Sequence, residues 1–327
     1  MQSPEVARAI PGLVAAGLLS PERAAPLLAA ARGDLLSVRS ELRALAGLAV
    51  ALLLAGAGAL IARLDAAVGP LVVAVALALA ALVTLAVAWR RSPGFTWGRD
   101  GQGDWLLDAL VLLAIGLLGA ELAWTELKFT PLGANWPAHL LVMSLVAGAL
   151  AVRFDSLAAW SLALSTFAAW RGVAVLPTAA SVERVVFGRH DEVLRANLLV
   201  CAVLFAALGV LARRFDRKAH FEPATTFLAV LAAGLALARG LDEAGRWPLS
   251  ALALALLGGG VAAWAFRARR RALFALGALG LYVAMTRLLF ALPFADGLGC
   301  FWFALSTVGA IVILVAAHRR FERGGPG

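Results

Sequence analysis

Apolar residues in this chain come in runs of about 20, separated by short polar segments, from residue 42 to residue 317. Ten such runs are read, at 42–64, 68–88, 105–124, 137–153, 157–173, 194–212, 224–240, 247–266, 272–291 and 298–317. The fourth and fifth, at 17 residues each, are the shortest and would cross a bilayer with little tilt. The pattern predicts an all-α, polytopic transmembrane bundle of about ten spans.

Residues 1–41 follow another pattern. Ser3-Pro4-Glu5 starts a helix, with serine as cap, proline at the first position and a carboxylate in the first turn. Pro11-Gly12 is expected to interrupt it and Gly17 to close it. Ser20-Pro21-Glu22 repeats the start signal, with the second helix running to about Gly33. Leu13, Val14, Leu18, Leu19, Leu27 and Leu28 would hold a helical hairpin too small to fold alone, packed on the membrane domain, a partner or a second copy. The expected layout is a cytoplasmic hairpin at 1–41, a membrane domain at 42–317 and a cytoplasmic tail at 318–327.

Composition removes the competing classes. Of 327 residues 62% are apolar and 15% charged, with mean hydropathy +0.88, against about 25% charge in a soluble domain. That much apolar material does not fit in a soluble core. A net charge of +9 would suggest nucleic acid in a soluble protein, but the 29 Lys and Arg sit mostly between apolar runs, without interleaved aromatics, so no nucleic-acid binding is expected. With the N-terminus inside, 20 of them fall on the inner side and 9 on the outer. This is expected to place both termini in the cytoplasm. Trp89, Trp105, Trp124, Trp136, Trp170, Trp247 and Trp264 lie near run ends, as an interfacial belt requires. No signal peptide is read, since Glu5, Arg8, Pro11, Glu22 and Arg23 break any early apolar stretch. Cys201 and Cys300 differ in expected depth, which argues against a disulfide.

Inward-running helices end in similar words: Trp89-Arg90-Arg91, Arg153-Phe154-Asp155, Arg213-Arg214-Phe215-Asp216, Phe266-Arg267 and Arg319-Arg320-Phe321-Glu322. Duplicated hairpins would give this pattern, and so would the positive-inside rule combined with aromatic belts.

Gly17-Leu18-Leu19-Ser20-Pro21-Glu22-Arg23-Ala24, followed by a charged helix and glycine-rich Ala55-Gly56-Ala57-Gly58, resembles bacterial predicted membrane proteins grouped as domain of unknown function 2157. The third run, with Gly116 and Gly119-Ala120-Glu121 and then a polar loop to Trp136, resembles that family's next segment. The resemblance covers about residues 10–160. It implies an inner-membrane protein without an established reaction and carries over no catalytic residue.

Ionisable groups inside spans are the candidates for chemistry, since a central charge costs roughly 2.5–3.5 kcal/mol on insertion scales. Asp108 lies just inside Trp105, within reach of the interface. Glu121, Arg171, Arg239 and Arg287 end helices three, five, seven and nine near one side. Three readings stand for them: snorkelling arginines, a structural Glu121–Arg287 pair, or a positive cavity for an anionic headgroup or solute. His139 opens the fourth run as an interfacial or bundle-facing polar residue. No HxxxH, HExxH, P-loop or GxSxG occurs, so no metal, cofactor or catalytic residue is assigned. Gly258-Gly259-Gly260 inside the eighth run permits close helix packing, and Gly56, Gly58, Gly277 and Gly280 offer further contact faces. The outer loop 174–193 is expected to hold a short interfacial helix.

Three functional readings follow. The first is a non-enzymatic membrane protein whose hairpin meets a cytoplasmic protein partner. The second is a small-solute or lipid transporter with a polar site near the periplasmic side. The third, an intramembrane enzyme, lacks a convergent acid, base or metal set. Membrane lipids are partners in all three.

Overall fold

The computed structural model describes residues 4–32, 39–98, 105–173, 191–243, 245–291, 301–302 and 306–309. Among them every regular element is helical. The elements are α1 (Pro4–Ala15), α2 (Pro21–Arg32), α3 (Arg39–Val68), α4 (Pro70–Arg91), α5 (Trp105–Phe129), α6 (Ala138–Phe154), α7 (Leu157–Val173), α8 (Asp191–Arg214), α9 (Glu222–Arg239), α10 (Trp247–Arg267) and α11 (Arg271–Leu289). Most of the tenth apolar run, the C-terminal tail, Cys300 and loop residues 174–190 lie outside the described residues.

Six helices, α4, α5 and α8 to α11, are long and apolar enough to cross a bilayer, with spans of 19 to 25 residues. No more than 33% of any of these spans is buried inside the protein. The exposed remainder is apolar, as at Leu79, Leu82 and Val83 of α4, and water would not tolerate so much of it. The protein is therefore a multi-pass helical membrane protein. α6 and α7 are 17 residues each, as the sequence pattern predicts.

Successive helices pair as hairpins, most closely α4 with α5, α6 with α7, α8 with α9 and α10 with α11. Three of these pairs turn on a residue with left-handed backbone that is not glycine: Asp155 (φ 60°), Asp216 (φ 50°) and Arg269 (φ 56°). Each ends its helix with the hydrogen bonds of a tight C-terminal cap. Ser156 N–H returns to Ala151 O at 3.1 Å, Asp216 N–H to Arg213 O at 3.4 Å, and Arg270 N–H to Ala265 O at 2.8 Å. Asp tolerates this conformation better than most residues.

Small residues fill the contacts between helices. Val111, Ile115, Met143, Ala147, Ala151 and Ala163 form the core of α5–α6–α7, and Ser144 Oγ donates to Ala163 O at 2.9 Å. Leu164, Cys201, Phe205, Ala229 and Ala232 join α7, α8 and α9; Cys201 is a buried free thiol. Where α10 crosses α11 the backbones nearly touch. A Cβ on Gly258 would lie 2.7 Å from Gly277 O, and one on Gly277 would lie 2.6 Å from Ala262 N. Close approach of this kind substitutes for the hydrophobic drive that lipid cannot supply. Gly259 and Gly260 face open space, so only the first glycine of the triplet serves the packing.

At the N-terminus α1 runs straight through Pro11 to Ala15, against the expected interruption. A proline inside a helix removes one backbone hydrogen bond. Packing offsets that loss here, since Ile10 and Ala24 are buried between the two helices with Val14, Leu19 and Leu28 around them. Gly17 (φ 71°) closes α1 as expected, with Leu18 N–H returning to Leu13 O at 3.0 Å. The two helices pack on each other. Leu18 is left 77% exposed and Leu13 and Leu27 are exposed as well.

Candidate functional site

α5 is five residues longer than its apolar run, ending at Phe129 instead of 124. The extension is anchored at Trp124, whose Nε1 donates to Pro70 O at 3.0 Å, and it carries Glu126 on helical backbone. Opposite stands the start of α6, with Trp136 and His139. Between α5, α6 and α7 lies a cavity of about 460 Å³, within the usual range for small-ligand sites. Its depth is apolar or small: Ile115, Gly116, Gly119, Met143, Ala147 and Leu162, with Thr166 supplying a hydroxyl. Its polar rim is Glu126 and His139, whose Oε2 and Nε2 stand 3.8 Å apart. Glu126 Oε2 also accepts Leu132 N–H at 3.1 Å, which ties the α5–α6 loop to the helix.

The residues singled out by the sequence are distributed more widely. Glu121 is half-buried, and its Oε1 accepts from Thr125 Oγ1 at 2.9 Å on its own helix. It does not line the cavity. Arg171 ends α7 with its guanidinium donating to Asn197 Oδ1 of α8, while Asn197 Nδ2 donates to Arg171 O at 3.0 Å. Arg287 Nε donates to Leu241 O at 3.2 Å, and its guanidinium lies 4.8 Å from the Trp247 ring centre. Arg239 ends α9, two residues before Leu241. The three arginines thus share one end of the bundle, with Arg239 and Arg287 near the same turn. Glu121 and Arg287 are not brought together: α5 packs on α3, α4, α6 and α7, whereas α11 packs on α9 and α10. Asp108 lines a separate groove of about 270 Å³ with Trp105, Ala46, Gly47, Leu157 and Ser161. His139 is at the cavity rim.

That same end holds an ion network the sequence analysis missed. Arg195 NH1 lies 3.2 and 3.1 Å from the two oxygens of Glu243, and Arg246 NH1 lies 2.8 Å from Glu192 Oε1. The opposite end, where the hairpins turn, holds a drier one. Lys218 is only 6% exposed; its Nζ donates to Asp155 Oδ1 at 2.8 Å and its backbone N–H to Trp97 O at 3.1 Å. His220 Nε2 stands 3.0 Å from the same Asp155 oxygen. Arg270 grips Glu222 with two bonds of 2.8 and 2.9 Å, the bidentate geometry that makes such pairs strong. Trp160 stacks on Phe221 with centroids 5.1 Å apart and donates to Thr225 Oγ1 at 2.9 Å. These contacts tie four hairpins together, which makes them a structural clasp.

Glu126 escaped sequence reasoning because an interfacial tryptophan, Trp124, marks the expected end of its span. Thr125 four residues after Glu121 was the available signal that the helix continues. Asp155 and Lys218 are 63 residues apart and carry no local mark of their pairing. Among the described residues, no group of three or more His, Cys, Asp and Glu side chains converges as a metal site would require. No family model, no curated protein and no solved structure matches this chain.

Proposed function

We propose that this chain is a non-enzymatic protein of the bacterial inner membrane that crosses ten times, keeps both termini in the cytoplasm, and holds a small solute or lipid near its periplasmic face. The observation that carries the reading is the 460 Å³ cavity between α5, α6 and α7, apolar in its depth apart from Thr166, with Glu126 and His139 at its rim. The bias of 20 Lys and Arg against 9 favours the orientation, with the Asp155–Lys218 clasp inside and the cavity mouth outside. Helices α3 to α11 overlie the first nine apolar runs, in keeping with ten crossings. The resemblance to domain of unknown function 2157 accords with the same membrane. Native mass spectrometry of the purified protein tests the reading: a small co-purified species is expected on the wild type and not on Gly119→Leu, which fills the cavity. Identical adducts on both proteins would overturn it.

A second activity is favoured by the hairpin. α1 and α2 bury Ile10 and Ala24 against each other yet present Leu13, Leu18 and Leu27 to solvent, a surface suited to a cytoplasmic protein partner. Deletion of residues 1–36 is expected to remove a co-purifying protein while the membrane domain still inserts. Equal recovery of that protein after deletion refutes the docking role.

A further inference from the structure

The α5–α6–α7 cavity carries one carboxylate, that of Glu126, beside His139 at its rim. Glu126 is only 14% exposed at its side chain. Its Oε2 is occupied by Leu132 N–H. His139 Nε2, at 3.8 Å, is too far for a hydrogen bond. Among the described residues Oε1 has no partner. A carboxylate so placed has acceptor capacity to spare, and in a half-dry site a donor satisfies it best when the donor is charged.

Among the described residues no arginine lines the cavity, although this end of the bundle has several. Arg171 is turned to Asn197, Arg195 to Glu243, Arg246 to Glu192 and Arg287 to Leu241. The positive cavity, one of the three readings of those residues in the sequence, therefore does not extend here, and the rim carries the Glu126 carboxylate instead. Below Glu126 the described walls offer apolar contact and the Thr166 hydroxyl, which donates to Leu162 O at 2.9 Å.

Taking the cavity as a binding place, as proposed above, we infer that its ligand is an amphiphile with an apolar tail between Gly119, Met143 and Leu162 and a hydrogen-bond-donating head, ammonium or hydroxyl, on Glu126 Oε1. Phosphate and carboxylate heads are disfavoured by like charge.

The test uses the full chain in nanodiscs of phosphatidylcholine, titrated with dodecylamine, dodecanol and dodecanoate, each dibrominated at carbons 6 and 7 so that the quencher stays on the head-group half of the chain, toward the rim. Quenching of tryptophan fluorescence reads contact with Trp136 at the rim. Saturable quenching is expected from the amine and the alcohol but not from dodecanoate, and it should disappear in Trp136→Phe. Glu126→Gln keeps the shape and can still accept Leu132 N–H; it is expected to weaken the amine about tenfold or more and the alcohol less. An amine stronger than the alcohol points to an ammonium head, the reverse order to a hydroxyl. Dodecanoate binding as well as the amine, or an amine affinity unchanged by Glu126→Gln, overturns the head-group assignment while leaving the cavity in place. If none of the three saturates, or Gly119→Leu weakens none of them, the cavity reading itself fails. Should Gly119→Leu not fold, Gly119→Ala keeps that arm readable, since its Cβ would reach to 3.4 Å from Met143 Cε and narrow the space.

Discussion

Where α10 crosses α11, Gly258 and Gly277 lie backbone to backbone; where α5 meets α6, Gly119 faces only the flexible tip of Met143. The first contact is closed by glycine and the second is opened by it. What differs is the residue opposite. A glycine against a glycine lets two helices approach until their backbones touch, and dispersion contacts along the seam replace the solvent-driven term that lipid does not provide. A glycine against a long side chain, with a loop from Thr130 to Pro137 separating the helix ends, leaves volume that no described residue fills. The polar ties differ likewise. Two charge-assisted bonds join Glu222 to Arg270 at the base of the α10–α11 pair, whereas Glu126 and His139 face each other at 3.8 Å without bonding.

The comparison breaks most readily at the glycine seam. Gly277→Leu would drive a side chain into the backbone of Ala262, and a loss above about 3 kcal/mol is expected, since overpacking of a side chain alone already costs about 1–3. Unfolding in mixed detergent–SDS micelles measures it, and a loss below about 1 kcal/mol would mean the helices are not held this closely. The next largest effect is expected from Glu222→Gln, which retains the shape but weakens the bidentate grip. About 2 kcal/mol should be lost in the same assay. Gly119→Leu, by contrast, enters existing space and should change stability by no more than about 1 kcal/mol. Equal damage from Gly119→Leu and Gly277→Leu would erase the distinction between an open and a closed contact. Smallest is Gly259→Ala. Its side chain meets nothing within 4 Å, so the helix should gain up to about 1 kcal/mol from better propensity; a loss there would reveal a neighbour on that face.

The helices were legible because a bilayer sets both their length and their polarity, and α7 at Leu157–Val173 coincides with its apolar run. Helix ends were less so. Trp124 marks the interface in energy terms, but backbone hydrogen bonding continues past it to Phe129, and that extension carries Glu126. Pro11 misled for a similar reason: the expected local break is outweighed by burial of Ile10 against Ala24. Arg171, Arg239 and Arg287 lie in the last turns of their helices. Which partner each one took was not legible, because Asn197, Glu243 and Leu241 come from other helices and turns.

By itself, then, the order of residues determined that this chain lives in lipid and where it bends between helices, because transfer energies and turn propensities are properties of short segments. Only the three-dimensional packing decided that Gly258 and Gly277 would meet, that Lys218 would be gripped by Asp155, and that Glu126 would overlook an apolar space. Those outcomes depend on which helices become neighbours, and neighbours are chosen by the summed fit of whole surfaces.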